Sequence, residues 1–139
     1  MRSLFVALAL STLSLAACSK KSDAPSMDVE SKLPTITVDQ LDTQLASNGC
    51  QAVDANGDGT RKKMGVIPGA VLLTDSDTFL PSELPADKSK PLVFYCANTH
   101  FGASHDAAAK AMTAGYTNVK VLPEGIAGWV KAGKKVTQI

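Results

Sequence analysis

The stretch that decides the fold is residues 91–96, which read PLVFYC. A continuous apolar run after a proline is typical of a central strand in a parallel sheet that is covered on both faces. Cys96 follows the run directly. Ligands of such sheets bind beyond the carboxyl ends of the strands, so the sequence places a thiol where a functional site is expected.

Strands and helices alternate on both sides of this stretch, which predicts an α/β fold. The other predicted strands span residues 35–38, 50–54, 67–73 (a turn feeding a short strand) and 118–122. The predicted helices begin after an N-cap at Asp39, after a cap at Ser104 or a neighbour, and at Pro123, and they end at Gly49, Gly115 and near Gly133.

The composition excludes several classes of protein. A chain of 139 residues leaves room for one domain. Its 14 Lys and Arg residues balance 13 Asp and Glu residues to a net charge of +1, so the chain lacks the strongly basic character of a nucleic-acid-binding protein. Its three cysteines are too few for a disulfide-rich scaffold.

The first residues resemble an export signal. Arg2 precedes an apolar stretch over residues 4–15, which is too short to span a membrane comfortably. Residues 15–18 read LAAC and resemble the lipobox of bacterial lipoproteins, which implies a signal peptide over residues 1–17 and lipidation of Cys18. The sequence thus predicts a membrane-anchored lipoprotein facing the periplasm, and Ser19 favours the outer membrane if the source has one.

Residues 19–32 are rich in Ser, Lys, Asp, Pro and Glu and contain little that could be buried. We therefore predict a flexible tether over residues 18–32 and a single folded domain over residues 33–139. No internal repeat or second domain is evident in this stretch.

Five short landmarks in the folded part resemble the rhodanese-like domain family, in the family's order. They are residues 53–55 (VDA), 65–70 (GVIPGA), 93–96 (VFYC), 115–119 (GYTNV) and 124–129 (EGIAGW). The resemblance implies a five-stranded, mostly parallel sheet with helices on both faces. It also implies that Cys96 takes a sulfane sulfur from thiosulfate or another small donor, becomes a persulfide and passes the sulfur to a thiol or other nucleophilic acceptor, without a cofactor.

The chemistry requires a thiolate at Cys96, because the anion is the nucleophile. Backbone N–H groups of the following loop and the start of the next helix are expected to stabilise that anion and to hold the donor. The predicted substrate-binding residues are Ala97, Asn98, Thr99, Phe101, Gly102, Ala103 and Ser104.

His100 and His105 are the only histidines in the chain, and both follow Cys96 within nine residues. Either imidazole could pair with the thiolate or shuttle a proton to the acceptor, so both are predicted catalytic residues. The alternative is that both rings face solvent and take no part in the chemistry.

The loop departs from the family pattern. It is longer than usual and contains no Arg or Lys, so the resemblance does not extend to thiosulfate specificity. A phosphatase of this fold needs an Arg where this chain has Gly102.

Two positions outside the loop also bear on the missing positive charge. Asn56 stands where the family commonly has Arg. Residues 61–63 (RKK) either supply a missing cation or form a solvated turn, and the turn is favoured.

These departures support a second hypothesis, a noncatalytic binding or thiol-redox module at the cell envelope. Residues 54–59 (DANGDG) imitate the start of an EF-hand, but Gly65 occupies the position of its bidentate Glu. A soft-metal site from Cys96 and the two histidines lacks a fourth ligand, so no metal is predicted. Cys50 is predicted to be a buried small hydrophobe and Trp129 a core residue.

Overall fold

The computed structural model describes residues 33–100 and 102–139. The predicted signal peptide, the lipidation site Cys18, the tether over residues 18–32 and the predicted substrate-binding residue Phe101 lie outside the described residues. Within the described residues, none of the helices has the length and hydrophobicity needed to cross a bilayer.

Four parallel strands form the sheet, in the order β2-β1-β3-β4. They are β1 (Gln51–Asp54), β2 (Val71–Leu72), β3 (Leu92–Tyr95) and β4 (Val119–Leu122). The central strand β3 is the apolar run from which the fold was predicted. The predicted α/β class with a parallel sheet is confirmed.

Helices cover the sheet on both sides. Four α-helices are present in the described residues: α1 (Val38–Ala46), α2 (Asp58–Met64), α3 (Ala103–Thr113) and α4 (Gly125–Lys131). A short 3₁₀ helix, Pro81–Glu83, lies between β2 and β3.

The side chains of β3 alternate between two hydrophobic clusters. Leu92 and Phe94 pack on the side of α3, against its buried alanines. Val93 and Tyr95 pack on the other side, in the cluster that contains residues of α1 and α4 such as Trp129. Burial on both faces explains why β3 is apolar at every position, and it confirms Trp129 as a core residue.

The prediction of a fifth strand was wrong. Thr35 forms only an isolated parallel bridge with Val121, beyond β4. The chain then turns into α1, because the Thr37 side chain accepts a hydrogen bond from the Gln40 backbone and the Gln40 side chain accepts one from the Thr37 backbone. This capping box starts the helix two residues before the predicted cap and ends the extended segment early.

The prediction of a solvated turn at residues 61–63 was wrong for Arg61. That segment lies in α2, and Arg61 is buried. Its Nε donates to Asp54 Oδ1 at 3.2 Å, and its Nη2 donates to the backbone oxygens of Asp54 and Leu73 at 3.1 and 2.8 Å. Arg61 therefore joins the carboxyl end of β1 to the residue after β2, whereas Lys62 and Lys63 are exposed.

We expect Arg61→Ala to lower the free energy of unfolding by about 3–5 kcal/mol, because it leaves the Asp54 carboxylate buried without its cation. Lys62→Ala, on the exposed face of the same helix, should change stability by less than about 0.5 kcal/mol. Urea unfolding of both variants checks this prediction. Equal stability of the two variants would contradict the structural role of the buried pair.

Candidate active site

Cys96 is the first residue after β3, and its backbone is held by the start of α4. The Cys96 carbonyl accepts a hydrogen bond from Ile126 N at 2.8 Å, and the Ala97 carbonyl accepts one from Ala127 N at 2.9 Å. These two bonds fix the position at which the loop leaves the sheet. The backbone position of Cys96 is therefore set by a helix that lies about thirty residues later in the chain.

Gly125 permits this close approach. Its φ is +59°, in the left-handed region, and an added Cβ would lie 2.8 Å from the carbonyl carbon of Ala97 and closer still to the Cys96 carbonyl oxygen. A side chain at this position would collide with backbone that cannot easily move. The glycine of the sequence landmark at residues 124–129 is thus required by packing against the Cys96 loop.

Hydrogen bonds with Ser104 and Asn98 help to orient the sulfur of Cys96. The Ser104 hydroxyl donates to Cys96 Sγ at 3.4 Å, and Sγ donates to the Asn98 carbonyl at 3.5 Å. Ser104 lies in the first turn of α3 and is only 1% exposed. Its hydroxyl does not cap α3, whose N-cap is Gly102 without a side-chain hydrogen bond, so the serine is directed at the thiol instead.

Cys96 lies at a pocket of about 290 Å³ between the ends of β1 and β3. The pocket is lined by Ala55, Asn56, Gly57, Thr60, Ser76, Cys96, Ala97 and Ala103. Although Cys96 is only 2% exposed, it borders this open space. A small molecule in the pocket would therefore lie beside the thiol.

The pocket contains some of the predicted site residues and several that the sequence did not reveal. Ala97 and Ala103, two of the predicted substrate-binding residues, line it together with Cys96. The residues from the β1–α2 segment were missed, although the parallel pairing of β1 with β3 brings the ends of these two strands together. No sequence signal pointed to Ser76, which comes from the loop after β2.

The remaining predicted loop residues lie around the thiol rather than in the pocket lining. Asn98 is half-buried, and its Oδ1 accepts a hydrogen bond from His100 N at 2.9 Å, which stabilises the loop as a local turn. Thr99 and Gly102 are exposed.

His100 is exposed and His105 is half-buried, and neither residue lines the Cys96 pocket. The catalytic roles predicted for the two histidines therefore stay predictions.

Among the described residues that line the Cys96 pocket, none has a cationic side chain. Arg61 is close in sequence to Thr60, but its guanidinium is engaged by the Asp54 carboxylate and two backbone carbonyls. The polar groups that border the pocket come from Asn56, Thr60 and Ser76, which are neutral. The described part of the lining thus lacks the fixed positive charge that would favour a multiply charged anion.

Cys50 lies in a different environment. It is 6% exposed in the core cluster on the α1 and α4 side, and burial raises the pKa of its thiol. It precedes β1, whereas Cys96 follows β3, so the two residues lie about 16 Å apart along the strands. Both residues are thiols, and Cys50 is buried as predicted.

Among the described residues, no group of three His, Cys, Asp or Glu side chains is arranged to hold a metal ion. The segment that imitates an EF-hand is organised differently. Asp54 Oδ1 accepts hydrogen bonds from Asn56 N at 2.7 Å and from Arg61, and Asp58 pairs with Arg61 at 3.6 Å. Both of these carboxylates therefore pair with the guanidinium of Arg61.

A larger hollow, of about 460 Å³, lies on the other side of the molecule between α1 and α4. Its lining includes Leu45, Pro68, Trp129 and Lys134. Lys134 is held there by ion pairs with Asp39 and Asp42 at 3.1 and 2.8 Å. Among the described residues that line this hollow, none has a thiol or hydroxyl group, and Lys134 is held in ion pairs, so the smaller pocket at Cys96 is the better candidate for an active site.

Comparison with known proteins points to one family. The family model described as a rhodanese-like domain matches residues 37–132. No curated protein matches the sequence significantly.

Solved structures share the fold at low sequence identity. A protein from Bacillus halodurans has 23% identity and a TM-score of 0.67, with 76% of this chain and 77% of that chain covered. The thiosulfate sulfurtransferase of Pseudomonas aeruginosa has 21% identity and a TM-score of 0.65, covering 79% of this chain and 21% of that one. The human single-domain sulfurtransferase has 21% identity and a TM-score of 0.57, covering 70% and 96%.

We expect Gly125→Ala to destabilise the protein and to disturb Cys96. The left-handed φ costs about 1–2 kcal/mol, and the collision with the Cys96 and Ala97 backbone adds about 1–3 kcal/mol. Gly133→Ala is the matched control, because Gly133 has φ +73° but nothing within 4 Å of an added Cβ. Urea unfolding and the rate of Cys96 alkylation should both change in Gly125→Ala, and only stability should change in Gly133→Ala. An unchanged alkylation rate in Gly125→Ala would contradict the claim that the close packing at Gly125 positions Cys96.

Proposed function

The chain belongs to the rhodanese-like domain family, and from this premise we propose that it transfers sulfane sulfur through a persulfide on Cys96. The observation that carries the proposal is the position of the Cys96 thiol. It lies at the carboxyl end of β3, at the edge of a pocket, and accepts a hydrogen bond from the buried Ser104 hydroxyl. Beyond the carboxyl ends of parallel strands is where an α/β sheet binds its ligands.

The reaction takes place in two steps. In the first, the Cys96 thiolate attacks the outer sulfur of the donor, a Cys96 S–S bond forms, and the bond between that sulfur and the rest of the donor breaks. The donor remainder leaves with the electron pair of that bond. In the second, an acceptor thiolate attacks the outer sulfur of the persulfide, and Cys96 leaves as the thiolate.

The residues around Cys96 perform distinct parts of this chemistry. The Ser104 hydroxyl donates toward the sulfur and so orients it both before attack and after release. The hydrogen bonds from Ile126 N and Ala127 N keep the start of the loop in place while the S–S bond at Cys96 forms and breaks. The pocket holds the donor beside the thiol, so the outer sulfur of the donor is already oriented for attack by Cys96.

The location of the protein is a further part of the proposal. The lipobox-like residues 15–18 support export and attachment of lipid to Cys18, with residues 19–32 as a tether. The transferase would then act at the periplasmic surface of a membrane. Its substrates there are a small sulfur donor and a thiol acceptor, and stable anchoring follows from the acyl chains of a lipoprotein.

A second candidate function is a noncatalytic binding or thiol-redox module of the same family. The neutral lining of the Cys96 pocket favours it, because no fixed cation is present among those residues to bind an anionic donor. In that case the pocket binds a partner or ligand, and the thiol does not turn over. The two functions differ in whether Cys96 acquires a sulfur atom.

We expect the purified protein to gain about 32 Da on the peptide that contains Cys96 after incubation with a panel of sulfane-sulfur donors, and to lose it when an acceptor thiol is added. The added mass should be absent in Cys96→Ser and retained in Cys50→Ala, since Cys50 is buried away from the pocket. Peptide mass spectrometry provides the measurement. If no donor adds sulfur to the wild-type protein, the noncatalytic function is the correct one.

We expect the full-length chain, expressed in a bacterium, to fractionate with membranes and to carry acyl chains on Cys18. Cys18→Ser should remove the lipid and release the protein from the membrane fraction, because an export signal of this length does not anchor stably. Membrane fractionation with mass analysis of the N-terminal peptide measures both effects. A wild-type chain without lipid would overturn the lipoprotein proposal.

A further inference from the structure

A turn in the crossover between β2 and β3 brings acidic side chains to the Cys96 pocket. Ser76, which lines the pocket, is half-buried and lies between Asp75 and Asp77. The Ser76 hydroxyl donates a hydrogen bond to Asp77 Oδ1 at 3.4 Å. The Asp77 carboxylate therefore lies beside the pocket wall, on an exposed residue that a molecule entering from solvent can meet.

The backbone of this turn is held in place. Asp75 Oδ1 accepts hydrogen bonds from Thr78 N, Asp77 N and Thr78 Oγ1 at 2.8, 2.9 and 3.0 Å, which keeps the pKa of the Asp75 carboxyl below its usual value. Phe79 follows the turn and is buried in the hydrophobic cluster on the α3 side. The position of Asp77 relative to the pocket is thus set by the fold.

Among the described residues, Lys110 of α3 is the cation that contacts this turn. Its Nζ donates to the Asp77 carbonyl oxygen at 2.7 Å and lies 4.8 Å from the centre of the Phe79 ring. Hydrogen bonds lower the pKa of Asp75 and of Glu83, and the charge of Lys110 lowers both further. One ammonium group is therefore shared among three carboxylates, which leaves this wall of the pocket net negative.

The opposite wall has the same sign of charge. The Arg61 guanidinium pairs with the carboxylates of Asp54 and Asp58, at 3.2 and 3.6 Å, so these three side chains together are also net negative. The lysines at residues 62–63 are in the last turn of α2, beyond Thr60, which is the residue of that helix that lines the pocket. A molecule that reaches Cys96 passes between two acidic groups of side chains.

These charges act on a ligand through a lining that does not offset them. The described residues that line the pocket are uncharged. Like charges repel and opposite charges attract, and a cleft with walls of one sign concentrates ligands of the other sign. A donor with a cationic end is therefore attracted to the pocket edge, whereas an anionic donor is repelled there.

We infer that Asp77 is a specificity-determining residue of the Cys96 pocket, and that the pocket selects a sulfur donor with a cationic end, such as the persulfide of an aminothiol. The identity of the ligand as a sulfur donor rests on the proposed function. The selection by charge requires only that a molecule reaches Cys96 past Asp77.

Two methanethiosulfonate reagents test the selection by charge. In both, the Cys96 thiolate attacks the divalent sulfur, a new S–S bond forms, and methanesulfinate leaves with the electron pair of the old one. One reagent has a trimethylammonioethyl group and the other a sulfonatoethyl group. Because the same thiolate attacks both reagents, the ratio of the cationic to the anionic rate is independent of the ionised fraction of Cys96.

We expect this ratio, measured by mass spectrometry at the Cys96 peptide of the full-length protein in low salt, to be higher in the folded protein than in the urea-unfolded chain. Asp77→Asn should lower the ratio of the folded protein by about twofold to fivefold, the range for one exposed charge that acts in opposite senses on the two reagents. Asp77→Lys should lower it further. Added salt should reduce the difference between wild type and Asp77→Asn, because it screens exposed charges.

Asp87→Asn is the matched control. It removes the same charge from an exposed residue of the same crossover, but Asp87 precedes β3 and lies at the opposite end of that strand from Cys96. Its ratio should equal that of the wild type. The unfolding midpoint of Asp77→Asn should stay at the wild-type value, because the turn is held by the backbone N–H of Asp77 and not by its carboxylate.

Equal ratios in the folded and unfolded wild-type chains would overturn the inference, and so would a wild-type ratio in both Asp77 variants. The result is separable from the proposed function. If Asp77 controls the ratio but no donor adds sulfur to Cys96, the transferase proposal fails and the selection by charge remains. If sulfur is added to Cys96 and the ratio does not depend on Asp77, the inference about Asp77 alone fails.

Discussion

The hydrogen bonds that α4 makes to the Cys96 and Ala97 carbonyls determine where the thiol lies. They depend on a glycine at residue 125, because a Cβ there would occupy the same space as the loop backbone. A second constraint acts beneath the pocket, where Arg61 joins the carboxyl end of β1 to the residue after β2. Together these contacts hold the strand ends and the loop in the arrangement that creates the pocket.

The sequence was sufficient for the parts of the fold that depend on hydrophobic burial. β3 could be predicted because a strand covered on both faces must be apolar throughout, and the alanines of α3 fit a helix packed closely on a sheet. It was not sufficient where local hydrogen bonds compete with that pattern. The Thr37 capping box starts α1 two residues early and so ends the extended segment before a fifth strand forms. The contacts that bury Arg61 become visible only when β1 and β2 are side by side.

The residues of the candidate site also fall into those that the sequence could indicate and those that it could not. Cys96 could be predicted because it follows the most apolar strand, and its loop neighbours followed from their proximity in sequence. The opposite wall of the pocket could not, since Asn56, Thr60 and Ser76 reach Cys96 only through strand pairing and through the loop after β2. The loop after Cys96 contains no Arg or Lys, and none of the described residues on the opposite wall of the pocket is cationic either.

The central claim is that the folded protein presents Cys96 as a reactive thiol, although the residue is 2% exposed. The most direct measurement compares the alkylation rate of Cys96 at neutral pH in the folded protein with the rate for the same cysteine in the urea-unfolded chain. We expect faster reaction in the folded protein, because the Ser104 hydroxyl orients the sulfur and the pocket holds the reagent beside it. Slower reaction in the folded protein, with Cys96 as protected as Cys50, would contradict the account.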